Sequence, residues 1–368
     1  MKPTVTFVVP CYKLGHLLKE CVDSILSQTY PDFEVLIMDD CSPDQTPQIA
    51  RSFQDRRVRH VRNEPNLGHL ANYNKGIAMA QGKYVWLISA DDRVLRQDVL
   101  QKYVAVLDTH MNVGYVCSSA VEIRNGQDTS VVAYSAQNDR DTIYTGHQFL
   151  QKLLYSNSVV AASAMVRKSC YDRLGVFPLD LPYAGDWYLW CLFALHYDVA
   201  YVSEPSVAYR IHERSMTESL VERGAQVCIK DDLAVMWRIK ARAKDAGFPN
   251  IVDKSRQAIA YEYARQIVGK RYRTIVCHTD VHDCEESVRE LSTDGKEAAE
   301  ITGRMFESLG DLQTQRNNHN GAVEAYRRAI QLRPGAMTLW MKVLLLKTGH
   351  MGAHIRHRIS SLRNIASN

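Results

Sequence analysis

Apolar and polar positions alternate along the first hundred residues in a strand-helix rhythm. Val5-Thr6-Phe7-Val8-Val9 is β-rich and closes at Pro10, and Leu14, Leu17, Leu18, Cys21 and Ile25 then recur at helical spacing. Glu34 to Met38 is apolar on both faces, as a buried parallel strand is. It stops at the turn-rich Asp39-Asp40-Cys41-Ser42-Pro43-Asp44. A helix from about Thr46, a short strand Arg57 to Val61, a helix Gly68 to Ala80 and a strand Tyr84 to Ser89 complete the series, which runs into Ala90-Asp91-Asp92. Polar residues thus collect at the carboxyl ends of strands, where open α/β sheets bind ligands.

Residues 118 to 145 are weaker and more polar, a β-excursion over that edge. Val159 to Val166 predicts a strand, and Asp186 to His196 a helix with Trp187, Trp190, Cys191 and Ala194 on one face. Val199 to Val202 and Ser206 to Ile211 close a first domain that ends near residue 220. From 222 to 309 the pattern is helical. Ser308 to Pro334, with Ala322-Val323-Glu324-Ala325-Tyr326, resembles one tetratricopeptide hairpin, a unit that rarely stands alone and so is expected to pack on the helices before it. The expected division is 1–220 α/β, 221–345 helical and 346–368 a basic tail.

The 368 residues suffice for two or three domains, with 46% hydrophobic and 23% charged residues, which excludes disordered and fibrous chains. No apolar run approaches the roughly 20 residues of a membrane span, and no charged-then-apolar leader precedes the first strand. The net charge of +4 is too mild to imply nucleic acid. Its distribution says more, because no acid follows Glu324 while Arg327, Arg328, Arg333, Lys342, Lys347, Arg356, Arg358 and Arg363 do. Such an end suits an anionic membrane surface, with Leu344, Leu345 and Leu346 dipping in; the alternative is a packed helix with a solvated tail. Nine scattered cysteines without a leader read as cytosolic thiols. Cys277-His278 and His282-Asp283-Cys284 carry zinc-ligand residue types, but their spacing fits no established zinc pattern.

Four clusters carry chemistry. Asp39-Asp40 ends the second strand and could accept hydrogen bonds from a base or a ribose. Asp91-Asp92 ends another, and two adjacent carboxylates beside a cleft suit Mg²⁺ or Mn²⁺ that also holds a diphosphate. Gly185-Asp186-Trp187 places one carboxylate among bulky aromatics, which raises its pKa toward that of a general base. Tyr209-Arg210-Ile211-His212 offers a His for a metal or phosphate. Each acid taken singly is also what a helix cap looks like.

Taken in order, these clusters resemble the inverting family-2 glycosyltransferases of GT-A fold. The resembling residues are Val8-Val9-Pro10-Cys11-Tyr12, Ser24 to Tyr30, Phe33 to Ser42, Asn66-Leu67-Gly68, Asn72-Tyr73-Asn74-Lys75-Gly76, Ser89-Ala90-Asp91-Asp92, Leu181 to Trp187 and Tyr209 to His212, over roughly residues 4 to 217. The resemblance implies a Rossmann-like, mostly parallel central sheet followed by an all-helical domain. It implies that Pro10, Tyr12, Asp40, Asn66, Asn74, Asp91 and Asp92 bind a nucleotide-sugar, that Asp91, Asp92 and His212 hold Mn²⁺ or Mg²⁺, and that Asp186 is the catalytic base. Ser89 stands where many members have the first acid of DxD, Tyr73 where many have Arg, and Gly185 where many have Glu.

The expected activity is transfer of a sugar, with inversion, from a nucleoside diphosphate, UDP foremost, to a hydroxyl of a glycan or lipid-linked glycan in bacterial surface polysaccharide synthesis. The expected place is the cytoplasm, at the inner face of the membrane, and the helical domain leaves room for an oligomer. Two other classes share parts of the pattern. A nucleotidyltransferase would release pyrophosphate. A non-catalytic scaffold would use the tetratricopeptide-like part as its working surface.

Overall fold

The computed structural model describes residues 2–124, 126–212, 215, 220–221, 224–272 and 275–347. The chain divides into two compact units, 1–215 and 216–367. The basic segment beyond Lys347, with Arg356, Arg358 and Arg363, lies outside the described residues.

The first unit is built on one ten-stranded sheet. In chain order it has β1 (Val5–Cys11), α1 (Gly15–Leu26), β2 (Phe33–Asp39), α2 (Thr46–Ser52), β3 (Val58–Arg62), α3 (His69–Met79), β4 (Tyr84–Leu87), β5 (Arg93–Val94) and α4 (Val99–Thr109). Then come β6 (Val113–Arg124), β7 (Gln127–Val131), β8 (Thr142–Tyr144), α5 (Gly146–Leu153), β9 (Met165–Arg167), α6 (Lys168–Leu174), α7 (Gly185–His196) and β10 (Asp198–Arg210). The strand order is β3-β2-β1-β4-β9-β6-β10-β5, with β7 on β6 and β8 on β10. The first four strands run parallel; β9 enters antiparallel to both β4 and β6, so the sheet is mixed.

β1 and β2 are buried at every position, which is why they lack alternation. Order reverses between β1 and β4, making their carboxyl ends the switch point of the sheet. Helix α3 packs hard against β1: a Cβ on Gly76 would lie 2.4 Å from Val8 Cγ1, so only glycine fits there.

Two expectations change. In place of a strand over Val159–Val166, residues 161–163 form a 3₁₀ turn and only Met165–Arg167 pairs. Side chains replace the ladder there: Trp86 Nε1 donates to the Ala162 carbonyl (2.8 Å) and Ser163 Oγ to that of Val160 (2.8 Å). The polar stretch from 118 belongs partly to β6, buried from Val113 to Ala120. Its serines are internally bonded, Ser119 Oγ to the Ser203 carbonyl at 2.7 Å, so polar letters mark a core strand.

The second unit has α8 (Ala225–Asp245), α9 (Pro249–Val268), a short hairpin of β11 (Lys270–Tyr272) and β12 (Ile275–Cys277), α10 (Val281–Leu291), α11 (Gly295–Gln315), α12 (His319–Leu332) and α13 (Met337–Lys347). The tetratricopeptide-like stretch is the end of α11 with α12. Gly310 admits the Tyr326 ring, which stands 2.4 Å from where a Cβ would be. Buried ions tie the other helices together: Lys240 Nζ lies 2.7 Å from Glu297, Arg256 reaches Glu297 at 2.8 Å, and Lys270 bridges Asp232 and Glu262. No helix among the described residues is long and apolar enough to cross a membrane.

Candidate functional site

The three acids of interest are not helix caps. Gln45, Asp98 and Ala184 occupy the N-cap positions of α2, α4 and α7, none with a side-chain cap bond, so Asp40, Asp91 and Asp186 do not stand at those positions. They lie at the ends of β2, β4 and the start of α7. The β4 chain continues along β1 through Ile88 N to the Val8 carbonyl (3.0 Å) and Ala90 N to that of Pro10 (3.1 Å), which delivers Asp91 to the sheet edge beside Pro10.

Helix α3 runs past their surroundings. His69 Nε2 is 3.0 Å from the Pro182 carbonyl, in the turn before Asp186. Burial lowers the His69 pKa, opposed by that carbonyl and by the charge of Asp40. One turn on, Tyr73 packs edge-on to His69, with centroids 5.7 Å apart. Burial raises the Tyr73 phenol, and Asp91, Asp186 and Asp92 push it the same way. From one side of a single helix, His69 thus senses Asp40, and Tyr73 senses Asp91, Asp186 and Asp92.

Asp186 sits in the first turn of α7. Its Oδ2 accepts from Asn157 Nδ2 (3.2 Å) and its Oδ1 from the Trp187 amide (2.6 Å). Trp187 Nε1 donates to the Leu153 carbonyl at 2.8 Å and fixes the turn. Burial outweighs these bonds and pushes the carboxyl up to about 6. Among aromatic neighbours, a carboxylate with that pKa is a competent proton acceptor near neutrality.

Asp91 Oδ2 lies 2.9 Å from His212 Nε2. The two side chains are hydrogen-bonded to each other, and the same separation, about 3 Å, is that of neighbouring ligand atoms around a small divalent cation bound at about 2.1 Å. Among the described residues no group of three or more His, Cys, Asp and Glu side chains could hold a metal ion. A cation here would therefore take its other ligands from water and a diphosphate, as Mg²⁺ commonly does. Asp92, expected to share the metal, is buried, and its Oδ1 accepts the Arg210 amide at 2.9 Å. Burial first, then the charge of Asp91, raises its pKa. Arg210 Nε also donates to the Asp91 carbonyl (2.9 Å) and its Nη2 to Glu20 (2.7 Å), locking the Asp91-Asp92 turn to β10 and α1.

Several residues expected at the nucleotide are engaged within the chain. Asp40 is buried, with Oδ1 accepting from Asn63 Nδ2 (2.9 Å) and the Leu67 amide (2.8 Å), and Oδ2 from the Gly68 amide (3.0 Å). Gly68, with φ of 82°, has the conformation that this loop needs. Asn66 Nδ2 donates to the Asp40 carbonyl (2.6 Å), and Asn74 spans the Phe177 backbone with both ends of its amide. Pro10 is buried in β1, whereas Tyr12 is exposed, with the Lys13 ammonium 5.0 Å from its ring centre. Asn157, His69 and Asn63 carry no signal in the sequence, and Asn72 and Lys75 appear there only within a resembling run; Asn63 bonds Asp40, Asn72 and Lys75, and Asn157 bonds Asp186, across separations that leave no local pattern.

Residues 6–174 match the family described as Glycosyl transferase family 2. The glycosyltransferase GlyG of Streptococcus pneumoniae is 36% identical over 115 residues, 31% of this chain and 38% of GlyG. TuaG of Bacillus subtilis, a glycosyltransferase assigned to teichuronic acid biosynthesis, is 36% identical over 103 residues, 27% of this chain and 40% of TuaG. The chain thus spans well under half the length of these relatives. Among solved structures, S. aureus TarS 1-349 in complex with UDP superposes with a TM-score of 0.58 at 18% identity, covering 91% of this chain and 92% of that one. This likeness shows the fold.

Proposed function

From a chain whose residues 6–174 match glycosyl transferase family 2, on a GT-A fold, we propose an inverting transferase that moves a hexose from a nucleoside diphosphate, UDP foremost, to a hydroxyl of a growing polysaccharide or lipid-linked glycan. What supports this reading is that Asp186, pushed up to about 6, and Asp91, beside His212, both act on the buried Tyr73 phenol. The UDP and polysaccharide parts draw support from the ligand of TarS and the assignment of TuaG.

In this reading Asp186 accepts the proton of the acceptor hydroxyl as its oxygen attacks the anomeric carbon. The nucleoside diphosphate leaves from the opposite face. One displacement inverts the centre and needs no nucleophile from the protein. Asn157 and the Trp187 amide hold the carboxylate in place while it takes the proton. Asp91 and His212 would hold Mn²⁺ or Mg²⁺, which when bound offsets charge gathering on the diphosphate. Asp92 and Arg210 keep that turn rigid, and Asp40 keeps the 66–68 loop closed over the end of β2. The exposed Tyr12 ring offers a stacking face for the base.

The test is Asp186→Asn, assayed for nucleoside diphosphate release across a panel of nucleotide sugars with Mn²⁺. General-base loss is expected to cost about 10²–10⁴-fold in turnover, with donor affinity kept. Turnover within a few-fold of the parent would remove Asp186 as base. Release of pyrophosphate would reassign the protein to nucleotidyl transfer.

A further inference from the structure

Helix α13 carries an apolar face that the described residues leave exposed. Met337, Trp340 and Met341 are 78%, 57% and 60% exposed, whereas Leu339 is fully buried. At about 100° per residue, the three exposed side chains share an arc of about 100°, and Leu339 and Lys342 fall on the opposite side. The opposite side is pinned: Lys342 Nζ lies 3.0 Å from Glu307 and 2.8 Å from Asp311. The exposed arc is therefore not a loose end but the outward face of an anchored helix.

Charge identifies what fits it. Past Glu324 the described cations divide into two groups. Arg328, Arg333 and Lys342 are neutralised by Glu285, Glu307 and Asp311. Arg327 and Lys347 make no ion pair with the described residues, and both line one open concavity at the end of α13, with Glu324 also in its wall. On the helical wheel Lys347 falls about 20° from Trp340, so a cation flanks the apolar arc. A second copy docked with the two helices parallel would bring Lys347 against its own charge. A convex arc of Trp and Met offers no groove for a peptide. A bilayer needs no groove: it takes Trp at the headgroup level, Met in the acyl boundary and Lys at the anionic surface.

We infer that α13 is an interfacial helix that docks this protein on an anionic lipid bilayer through Met337, Trp340 and Met341, with Lys347 and Arg327 on the headgroups. The proposal is independent of the reaction assigned to the first unit.

The experiment is co-sedimentation of the full chain with phosphatidylcholine vesicles containing phosphatidylglycerol, and with phosphatidylcholine alone. Binding to the anionic vesicles is expected, weakened by salt and by at least about tenfold in Trp340→Glu. Lys347→Glu, at the exposed end of the helix, is expected to weaken it several-fold with an unchanged melting midpoint. Failure of the parent to sediment with anionic vesicles overturns the proposal, as does retention of binding by both variants. A concentration-dependent oligomer in the absence of lipid, abolished by Trp340→Glu, assigns the face to a second copy and overturns it too.

Discussion

At the scale of single residues, the least comfortable group is Asp186. Its folded-state pKa of about 6 lies above the model-peptide value of 3.8. Folding therefore disfavours its ionised form. The resulting penalty is fully present above pH 6 and disappears below about 3.8. Two consequences follow with opposite signs for function and stability. The rate is expected to fall below about pH 6 as the base is protonated, giving an acidic limb in a pH–rate profile. Asp186→Asn should lose turnover yet melt higher than the parent at pH 7.5 and not at pH 4, read by thermal unfolding at both values. A variant that melts lower at pH 7.5 would mean that the charge is not buried at a cost. Asp91 and His212 make a separate prediction. Chelator should abolish transfer, and His212→Ala should raise the Mn²⁺ concentration needed for half-maximal rate by about tenfold or more, in line with losing one of few ligands. Full activity in excess chelator would remove the cation from this site.

At the scale of elements, strand ends and loops were legible to very different degrees. Strand-end acids stand out because a buried parallel strand reads as an apolar run, and a pair of aspartates closing it has little else to do. What each acid then bonds to is not legible. Asp40 meets Asn63, Leu67 and Gly68 across separations of 23 to 28 residues, and Asp91 meets His212 across 121. No periodicity encodes such pairings: the sequence marks Asp40 as a candidate acid, and only the structure shows its carboxylate also holding the 66–68 loop. The strand expected at 159–166 differs for a related reason, because Trp86 and Ser163 take over the backbone groups that a ladder would use. For Asp40 the structure makes a definite forecast. Asp40→Ala takes away the acceptor of the Leu67 amide, one of two acceptors of the Gly68 amide and a partner of the buried Asn63 side chain, and a buried donor left unpaired costs about 1–3 kcal/mol. The variant should melt lower and be cut by protease within 63–68 sooner than the parent. Asp40→Asn, which keeps one acceptor oxygen, should fall between the two. Equal protease resistance in all three would show that the loop does not depend on this carboxylate.

At the scale of the whole chain, the two units rest on different forces and should respond differently to acid. The first is centred on an apolar sheet whose Phe7 and Trp86 stack at 5.1 Å, with Tyr103 of α4 on Trp86 at 4.9 Å. The second joins its helices through buried ions as well as apolar contact. For Glu297 burial alone would raise the pKa, but Lys240, the Thr293 amide and Arg256 together bring it down to about 2. A carboxylate depressed below its model-peptide value of 4.5 contributes stability that is fully present above 4.5 and is lost as pH falls toward 2. Asp186 in the first unit has the opposite sign. Acidification from pH 7 to 3 should therefore weaken the helical unit through Glu297, while the Asp186 penalty in the first unit is relieved. Glu297→Gln removes one partner of a buried cluster and leaves Lys240 uncompensated, at a cost of about 3–5 kcal/mol at pH 7. The same variant should lose less on acidification than the parent, because the group that titrates is gone. Helix signal followed by circular dichroism through thermal melts at pH 7 and pH 3, for parent and variant, measures both effects. If the two chains lose stability equally between those values, the Lys240–Glu297–Arg256 cluster is not what makes the helical unit acid-sensitive.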